Sequence, residues 1–249
     1  MRSRFYTKTG LHRFLSSLEA SAGDFVTVYV TPASFSDYID SLTLARKYDT
    51  HLAEIKEAVK TGVVINGAGK YGTGAAMFWS GLAKHIVLPA FPIARNEISV
   101  GKFDASVLYE VLDRKYVIGV VLVTWGWYAI GMFDGNNLVE CKIGTGYIHK
   151  EHRKGGRSQK RFARRTEEQK KDFLRRVSNR INERLGGYLP AHIFFGGNKL
   201  ILKPLIQESR YLQTRIDIIS PRILNVRYAN REALVGSLAE INKSLVFTL

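Results

Sequence analysis

The sequence predicts an α/β protein in two parts: a mixed β-sheet flanked by helices over residues 113–249, and a smaller N-terminal α/β domain over residues 1–112. Runs rich in valine, tyrosine and tryptophan, with the alternation of strands, are interleaved with segments whose apolar residues recur at helical spacing. After Lys115 three strand-like runs follow one another directly, and helices and strands then alternate. This order is typical of a mixed sheet with helices packed on it.

The N-terminal part combines helices and strands. Ser36–Lys60 places its large apolar residues roughly on one side of a helix, whereas Phe25–Val30 alternates like a strand and stops at Pro32. Gly62–Gly74 is rich in glycine. The other predicted elements are a short helix at Leu11–Leu18, several strands within Ala75–Val100 and a short helix at Phe103–Leu112.

The second part begins with three consecutive strands. They are predicted at Val117–Val123, Tyr128–Phe133 and Leu138–Ile143, and Asp134–Asn137 has the residues of a tight turn. A basic, glycine-containing loop then leads into a long helix at about Lys160–Leu185. The remaining elements are predicted at His192–Phe195 (strand), Lys199–Tyr211 (helix), Ile216–Ile219 (strand) and Arg231–Asn242 (helix).

The 18 uncharged residues from Tyr116 to Phe133 are long enough to span a membrane. They contain three glycines and are dense in strand-forming residues, with a turn around Trp125-Gly126, so we interpret them as a buried β-hairpin. No apolar signal-peptide core follows the first residues. We therefore expect a cytoplasmic protein with no membrane partner.

Charge is the feature of the composition that bears most on function. The 249 residues include 37 lysines and arginines and 22 acids, a net charge of +15 that favours a polyanionic partner. Residues 149–185 alone hold 14 of the cations and 5 of the acids. A solvated helix face is the alternative, but a basic loop at a helix start favours nucleic-acid phosphate. A single cysteine, Cys141, excludes a disulfide framework and fits a reducing compartment.

Three other patterns do not indicate a cofactor or metal site. Gly67–Gly72 matches the dinucleotide pattern G-x-G-x-x-G, but no convincing acidic residue follows on a strand, so we interpret it as a loose loop. His149 and His152 lack a third ligand and are more typical of a surface or RNA-facing pair. Trp125 and Trp127, near a predicted hairpin tip, are interpreted as core residues, with base stacking as the alternative. We therefore predict no cofactor and no metal.

The basic loop before the long helix carries the clearest functional pattern. Gly155 and Gly156 allow backbone angles that are closed to other residues and let a ligand approach closely. Ser158 is a candidate helix N-cap, and Gln159 offers an amide that donates and accepts hydrogen bonds. On its own, a Gly-Gly pair is equally consistent with a flexible surface turn.

The stretch from His152 to Arg165 resembles the GGQ loop of eukaryotic and archaeal class-one peptide chain release factors. That family's pattern is Gly-Gly-Gln-Ser, two variable residues and Arg-Phe-Ala-Arg, at the start of a long basic helix. The strands before the loop and the helix–strand order after it resemble the family's central domain, and the N-terminal part is similar in outline. The matching residues are Gly155, Gly156, Ser158, Arg161, Phe162, Ala163 and Arg164.

Two departures indicate one branch of that family. Arg157 stands at the position of the family's catalytic glutamine, and the nearest glutamine, Gln159, lies two residues later. The N-terminal part has no Asn-Ile-Lys-Ser codon-reading motif. Because Vms-like release factors keep the glycine pair, shift the glutamine and lack codon reading, the chain most resembles that branch.

The resemblance implies codon-independent ribosome rescue by a monomer whose partners are the large ribosomal subunit and peptidyl-tRNA. Water would attack the ester to the terminal ribose, with Gly155, Gly156, Ser158 and Gln159 as the catalytic residues and Gln159 orienting the water or stabilising the oxyanion. Two alternatives stay open: a tRNA endonuclease that removes the CCA end, and a non-catalytic ribosome- or tRNA-binding factor. The expected RNA-binding residues are Lys150, Arg153, Lys154, Arg157, Lys160, Arg161, Arg164 and Arg165.

Overall fold

The structure of the chain is a computed structural model that describes residues 1–21, 23–148 and 157–249. Residues 157–160 are described by their backbone. The helices in these parts of the chain are α1 (Lys8–Glu19), α2 (Phe35–Ser41), α3 (Asp49–Val59), α4 (Gly62–Tyr71), α5 (Ser106–Asp113), α6 (Arg157–Leu185), α7 (Lys199–Glu208), α8 (Arg210–Gln213) and α9 (Arg231–Ile241). The strands are β1 (Arg2–Tyr6), β2 (Phe25–Val30), β3 (Ala75–Trp79), β4 (Lys84–Leu88), β5 (Glu97–Gly101), β6 (Val117–Thr124), β7 (Trp127–Asp134), β8 (Asn137–Thr145), β9 (His192–Gly197) and β10 (Ser244–Thr248).

The chain divides into two compact units. The first comprises Met1–Arg114 together with Ala239–Leu249, and the second comprises Lys115–Leu238. The sequence analysis assigned all of residues 113–249 to one larger domain. Ala239–Leu249 belongs to the first unit instead, because β10 pairs there with β1 and β4. The two units are therefore of nearly equal length, rather than a large and a small domain.

Within the described residues, the first unit is built on a six-stranded sheet with the order β1-β10-β4-β3-β2-β5. Neighbouring strands are antiparallel. Helices α2, α3 and α4 contribute to the core on one face, which includes Trp79 and Phe247, and α1 and α5 contribute to the core on the other, around Tyr29 and Phe78. Because both faces are covered, β2 and β3 are buried along their whole length.

The pattern Gly67–Gly72, interpreted from the sequence as a loose loop, forms the second half of helix α4 and its C-cap. Gly67 lies where this helix approaches the sheet: a Cβ there would lie 3.0 Å from Phe247 Cζ and 3.1 Å from Leu88 Cδ1. Gly72 ends the helix in the left-handed conformation, with φ at 63°. The G-x-G-x-x-G pattern therefore serves close packing and helix termination, and the prediction of a loop is wrong.

Other local predictions also change in the structure. Ser36–Lys60 breaks between α2 and α3 because Leu42 is extended, and its carbonyl accepts a hydrogen bond from Lys56 Nζ at 2.9 Å. Ile216–Ile218 forms a 3-10 turn instead of a strand, and Ile219 makes a single bridge to β9. The predicted helix after β9 is divided into α7 and α8. Strands β1 and β10, which the sequence did not predict, form by pairing with each other.

The described part of the second unit contains a four-stranded sheet with the order β8-β7-β6-β9. Strands β6, β7 and β8 are antiparallel neighbours, and β9 runs parallel to β6, which confirms the predicted mixed sheet. Gly126 (φ 88°) and Gly135 (φ 58°) supply the left-handed backbone of the two hairpin turns. Helices α6, α7 and α8 cover one face, and Leu234 of α9 lies against Gly131 on the other.

The apolar run Tyr116–Phe133 falls within the β6–β7 hairpin, in which Val117 pairs with Asp134 and Thr124 with Trp127. Across the described ranges, none of the helices has the length and apolar character needed to span a membrane. Both sheets are flanked by helices, so the predicted α/β fold class is confirmed.

Candidate functional site

The predicted catalytic residues lie between the end of β8 and the first turn of α6. We call residues 149–156 the Gly-Gly segment, and they lie outside the described residues. The structure describes its two roots: residues 144–148 on the strand side, and helix α6 from Arg157 onward. The sequence-predicted residues within the segment are Gly155, Gly156, Lys150, Arg153 and Lys154, and the histidine pair His149 and His152.

Two glycines hold the strand-side root close to the aromatic core of the second unit. At Gly144 a Cβ would lie 2.2 Å from the Tyr128 hydroxyl oxygen, and at Gly146 one would lie 2.5 Å from Phe173 Cδ2. The Gly146 N–H donates a hydrogen bond to the Gly126 carbonyl at 2.9 Å. Neither position has room for a side chain, so the backbone of the root lies directly on the rings beneath it.

Helix α6 supplies the surface on which this root rests. Phe173 is 2% exposed, and its ring centroid lies 6.1 Å from that of Trp125 and 6.2 Å from that of Tyr128. Arg176 donates from Nη1 to the Thr145 carbonyl at 3.1 Å. Root and helix are therefore joined by an aromatic cluster and by a hydrogen bond. This positioning role was not predicted from the sequence, in which its local signal is the Gly-Thr-Gly triplet at the end of β8.

Helix α6 begins at Arg157, which changes the role expected for Ser158. An N-cap residue precedes the first helical residue and has an extended backbone. Ser158 is the second residue of the helix, so the predicted N-cap role is wrong. The helical backbone continues through Gln159 and Lys160, which places the glutamine in the first turn of the helix.

The helical backbone separates the two positions that compete for the catalytic role. Because successive helical residues advance by about 100°, position 159 lies about 200° around the axis from position 157. By the same geometry, position 159 lies on the same side of the helix as the buried Thr166 and Phe173, and we call such a row of positions a stripe. Position 157 shares a different stripe with the exposed Arg161. Arg157 and Gln159 therefore start from opposite sides of α6.

Near its N-terminus, from Arg161 to Arg165, helix α6 presents an exposed, basic surface. The side chains from Arg161 to Arg165 are all exposed, and the first turn contains no acid. Arg164 Nε lies 3.0 Å from Glu168 Oε1, whereas Arg161 and Arg165 have no carboxylate within ion-pair distance among the residues the structure describes. The helix rises about 24 Å between Arg157 and the Phe173 contact. The basic surface thus begins well away from the residues that anchor the helix.

Further along α6, four of the six cations that follow Arg165 are paired with acids. This pairing leaves the positive charge concentrated at the N-terminal end, where the helix dipole adds to it. Exposed guanidinium groups without a carboxylate partner among the described residues, as at Arg161 and Arg165, are suited to binding phosphate near the positive end of a helix. The paired residues are Lys170 with Glu167, Arg175 with Asp172, Arg180 with Glu183 and Arg184 with Glu140.

Three further residues singled out in the sequence lie elsewhere in the second unit. Cys141 is a free cysteine, half-buried in β8. Trp125 packs against the core, as predicted, but Trp127 is 57% exposed because it is the first residue of β7, a strand whose two end residues are exposed and whose interior residues are buried. The interpretation of Trp127 as a core residue is wrong. Among the described residues, no group of three or more histidine, cysteine or acidic side chains is arranged to hold a metal ion.

Comparisons with known proteins agree with the sequence motif. A family model, the Actinobacteria/chloroflexi VLRF1 release factor, matches residues 116–246. Peptide chain release factor subunit 1 of Aeropyrum pernix is 25% identical over 148 residues, which cover 57% of this chain and 39% of that protein. Eukaryotic peptide chain release factor subunit 1 of Oxytricha trifallax is 32% identical over 83 residues, which cover 33% of this chain and 19% of that protein. The chain therefore spans less than half the length of either relative.

Two solved structures align with nearly the whole chain at low identity. The archaeal translation termination factor aRF1 aligns at 18% identity and a TM-score of 0.40, over 95% of this chain and 73% of that chain. The Vms1 mitochondrial localization core aligns at 13% identity and a TM-score of 0.38, over 95% of this chain and 93% of that chain. The family assignment rests on the sequence match, which confirms the predicted resemblance to Vms-like release factors. Since the family model covers more than half of the chain, from β6 into β10 and across both roots of the Gly-Gly segment, the chain belongs to the Actinobacteria/chloroflexi VLRF1 release factor family.

Proposed function

We propose that this chain is a codon-independent ribosome rescue factor that releases stalled nascent chains by hydrolysing peptidyl-tRNA on the large ribosomal subunit. Membership of a release-factor family supports a role in release or rescue at the ribosome. The observation that carries the proposal is the N-terminal end of α6, where the exposed Arg161 and Arg165, without acidic partners among the described residues, lie within nine residues of Gly156 in the chain. That end belongs to a helix held against the strand-side root by an aromatic cluster.

The proposed chemistry divides the work among few residues. Gly155 and Gly156 would let the backbone approach the end of peptidyl-tRNA closely. Ser158 would shape the first helical turn. Gln159 would orient the attacking water or stabilise the developing oxyanion, because an amide is no base near neutral pH. A ribose hydroxyl of the RNA would then take part in proton transfer.

We propose that one side of α6 binds RNA and that the opposite side faces the reaction. Arg157, Arg161 and Arg164 begin on one stripe, where guanidinium groups would bind phosphates in a two-pronged manner. Gln159 begins on the opposite stripe, the one that leads to Phe173 and the strand-side root. We expect the ester to be presented on that side. The further residues proposed to bind RNA are Lys150, Arg153, Lys154, Lys160 and Arg165.

A tRNA endonuclease is the second candidate, favoured by the cationic stripe that Arg157 begins. In that reaction the ribose 2′-hydroxyl just before the CCA end would attack the neighbouring phosphate, and the P–O5′ bond to the CCA fragment would break. The products would be a 2′,3′-cyclic phosphate on the tRNA body and a 5′-hydroxyl on the CCA fragment, and Arg157 would stabilise the added negative charge on the phosphate in the transition state. A factor that binds the ribosome or tRNA without cleaving either bond is the third. The hydrolase and the nuclease can be distinguished by mutation, because the proposed hydrolase depends on Gln159 and the proposed nuclease depends on Arg157, on the opposite side of α6.

The proposal also gives each of the two units a role. The second unit would carry the chemistry, and the first, which the sequence analysis delimited as residues 1–112, would be a reduced release-factor N-terminal domain that docks on the ribosome or on tRNA. The chain would act in the cytoplasm as a monomer, without a cofactor. Its partners would be the large subunit and peptidyl-tRNA.

The test uses stalled large subunits that carry labelled peptidyl-tRNA. Wild type, Gln159→Ala, Arg157→Ala and a control, Gln207→Ala, would be compared at equal occupancy of the particles. Gln207 is exposed on α7, so its substitution makes the same chemical change away from the Gly-Gly segment. Products would be separated on a gel that resolves free peptide, peptide with a CCA remnant, and intact peptidyl-tRNA.

Each product identifies one of the three functions. Free peptide that is lost in Gln159→Ala and retained in Gln207→Ala supports the hydrolase. Peptide with a CCA remnant, lost in Arg157→Ala, supports the nuclease instead. Wild type that binds the particles but leaves peptidyl-tRNA intact would overturn both catalytic proposals in favour of a binding factor.

A further inference from the structure

A second polar site lies on α6, far from the Gly-Gly segment. It is a cleft of about 490 Å³ between α6 and the region around α8, and we call it the polar cleft. Asn179 and Asn182 line it from α6, and Arg210 and Arg215 line it from the other side. The helix rises about 37 Å from Arg157 to Asn182, so the polar cleft is separate from the N-terminal basic end.

One of the two arginines is held in place by its neighbours. The Arg215 guanidinium carbon lies 4.1 Å from the centre of the Tyr211 ring, and its Nη1 donates to Thr214 Oγ1 at 3.2 Å. The Tyr211 hydroxyl in turn donates to the Leu185 carbonyl at 3.0 Å. Burial raises the pKa of Tyr211, so the ring stays a neutral phenol. Arg215 is therefore presented in a defined position, stacked on a fixed ring.

The hydrogen-bond donors that line the polar cleft are available to bind a ligand. Arg210 and Arg215 have no carboxylate within ion-pair distance in the part of the chain that is described. The acid that lines the cleft, Glu208, lies 3.8 Å from Arg175 Nε. The exposed side-chain amides of Asn179 and Asn182 likewise have no recorded hydrogen bond to the described residues. Residues 197–215 carry four cations and one acid, so the surroundings are basic as well.

We propose that the polar cleft is a second RNA-binding site, which takes a short stretch of backbone from the tRNA or ribosomal RNA that the Gly-Gly segment addresses. Arg210 and Arg215 would bind successive phosphates, and Asn179 and Asn182 would hydrogen-bond ribose hydroxyls or base edges. This inference rests on the proposed function for the identity of the RNA. The one aromatic side chain among the lining residues, Tyr211, is 7% exposed and lies beneath Arg215, and the rest of the lining is mainly polar and cationic, which favours RNA over a protein partner.

The test measures equilibrium binding of the full chain to three probes: labelled deacylated tRNA, protein-free large-subunit RNA, and intact large subunits. The cleft variant is Arg210→Gln/Arg215→Gln. Its control is Arg227→Gln/Arg231→Gln, which removes two exposed cations from the same unit, one of them also lying over a tyrosine ring at 5.3 Å. We expect the cleft variant to lose about tenfold or more in affinity for RNA, and the slope of log affinity against log salt to fall by about 1.4 to 1.8.

A second variant, Asn179→Asp/Asn182→Asp, places two carboxylates in the cleft and leaves the Arg215 stacking intact. The same loss of affinity is expected, and unchanged thermal unfolding shows that the variant is folded. The inference is overturned if the cleft variants bind RNA as tightly as the wild type, or lose no more affinity than the control. It is also overturned if the loss occurs with intact subunits but with neither RNA alone, since the cleft then contacts a ribosomal protein. Wild type that binds none of the probes would instead overturn the proposed function itself.

Discussion

The contact between Gly146 and Phe173 provides a direct test of how the Gly-Gly segment is positioned. In a Gly146→Ala variant the new Cβ would lie 2.5 Å from Phe173 Cδ2 and 3.2 Å from Cε2. Carbon atoms pack best at about 3.5–4.0 Å. The ring cannot turn aside freely, because it is 2% exposed and lies beside Trp125 and Tyr128. Either the root or the core must shift, and overpacking of this kind costs about 1–3 kcal/mol.

This cost should appear in stability and, more strongly, in activity. At roughly 2–4 °C of melting temperature for each kcal/mol in a chain of this size, we expect Gly146→Ala to melt about 2–12 °C lower. Peptidyl-tRNA cleavage should fall further than RNA binding, because a displaced root misplaces the segment by a fraction of an ångström or more. Thermal unfolding followed by circular dichroism, and the release assay at equal occupancy, measure the two effects.

Two companion variants isolate the cause. Gly236→Ala in α9 makes the same substitution where no atom lies within 4 Å of the new Cβ, so it should not lower the melting temperature. Adding Phe173→Leu to Gly146→Ala should restore part of the lost stability, since the smaller side chain makes room for the methyl group. If Gly146→Ala melts and cleaves like the wild type, the root does not depend on this contact and the positioning argument fails.

Three other predictions concern separate parts of the chain. Adding Arg157→Gln to Gln159→Ala should leave peptide release as low as in Gln159→Ala alone, because the two positions lie about 200° apart on α6; recovery in the gel assay would contradict that placement. In α4, Gly69→Ala should raise the free energy of unfolding by up to about 1 kcal/mol, because no atom lies within 4 Å of its Cβ. Gly67→Ala should give no such gain, because its Cβ meets a phenylalanine ring at 3.0 Å; urea unfolding of both variants decides the comparison. Burial lowers the pKa of His85, whose Nδ1 lies 3.0 Å from a threonine hydroxyl in β10. The unfolded state therefore takes up the proton first, and the free energy of unfolding should decrease as the pH falls below about 6.5, an effect that His85→Gln should reduce in urea titrations between pH 7.5 and 5.

Local sequence patterns predicted the elements of the second unit well. The strands β6, β7 and β8 have continuous β-forming runs separated by turn residues, and these runs pair with their immediate neighbours. The long helix was visible because Phe173, Val177 and Ile181 recur at steps of four and are all buried. Where the pattern was less regular, as around Leu42, the prediction merged two helices into one.

The predictions that failed depend on contacts between residues far apart in the chain. The segment around Gly67 reads as a loop because glycine disfavours helix, but packing against Leu88 and Phe247 requires a glycine at that position of α4. Strand β10 has a short apolar run that local patterns did not identify, and it forms through pairing with β1 and β4. The exposure of Trp127 follows from its position on the uncovered margin of β7, which composition alone does not reveal.

The sequence by itself determined the α/β class, the order of elements in the second unit, and the motif that joins Gly155-Gly156 to a basic helix, because each is encoded by residues close together in the chain. Only the tertiary structure decided that α6 begins at Arg157, that Arg157 and Gln159 start on opposite stripes, and that Gly146 rests on Phe173. Tertiary structure also decided which cations keep their charge unpaired, since ion pairs such as Arg184 with Glu140 join different elements. These properties depend on helix phase and on close packing between distant residues, which a linear pattern does not contain.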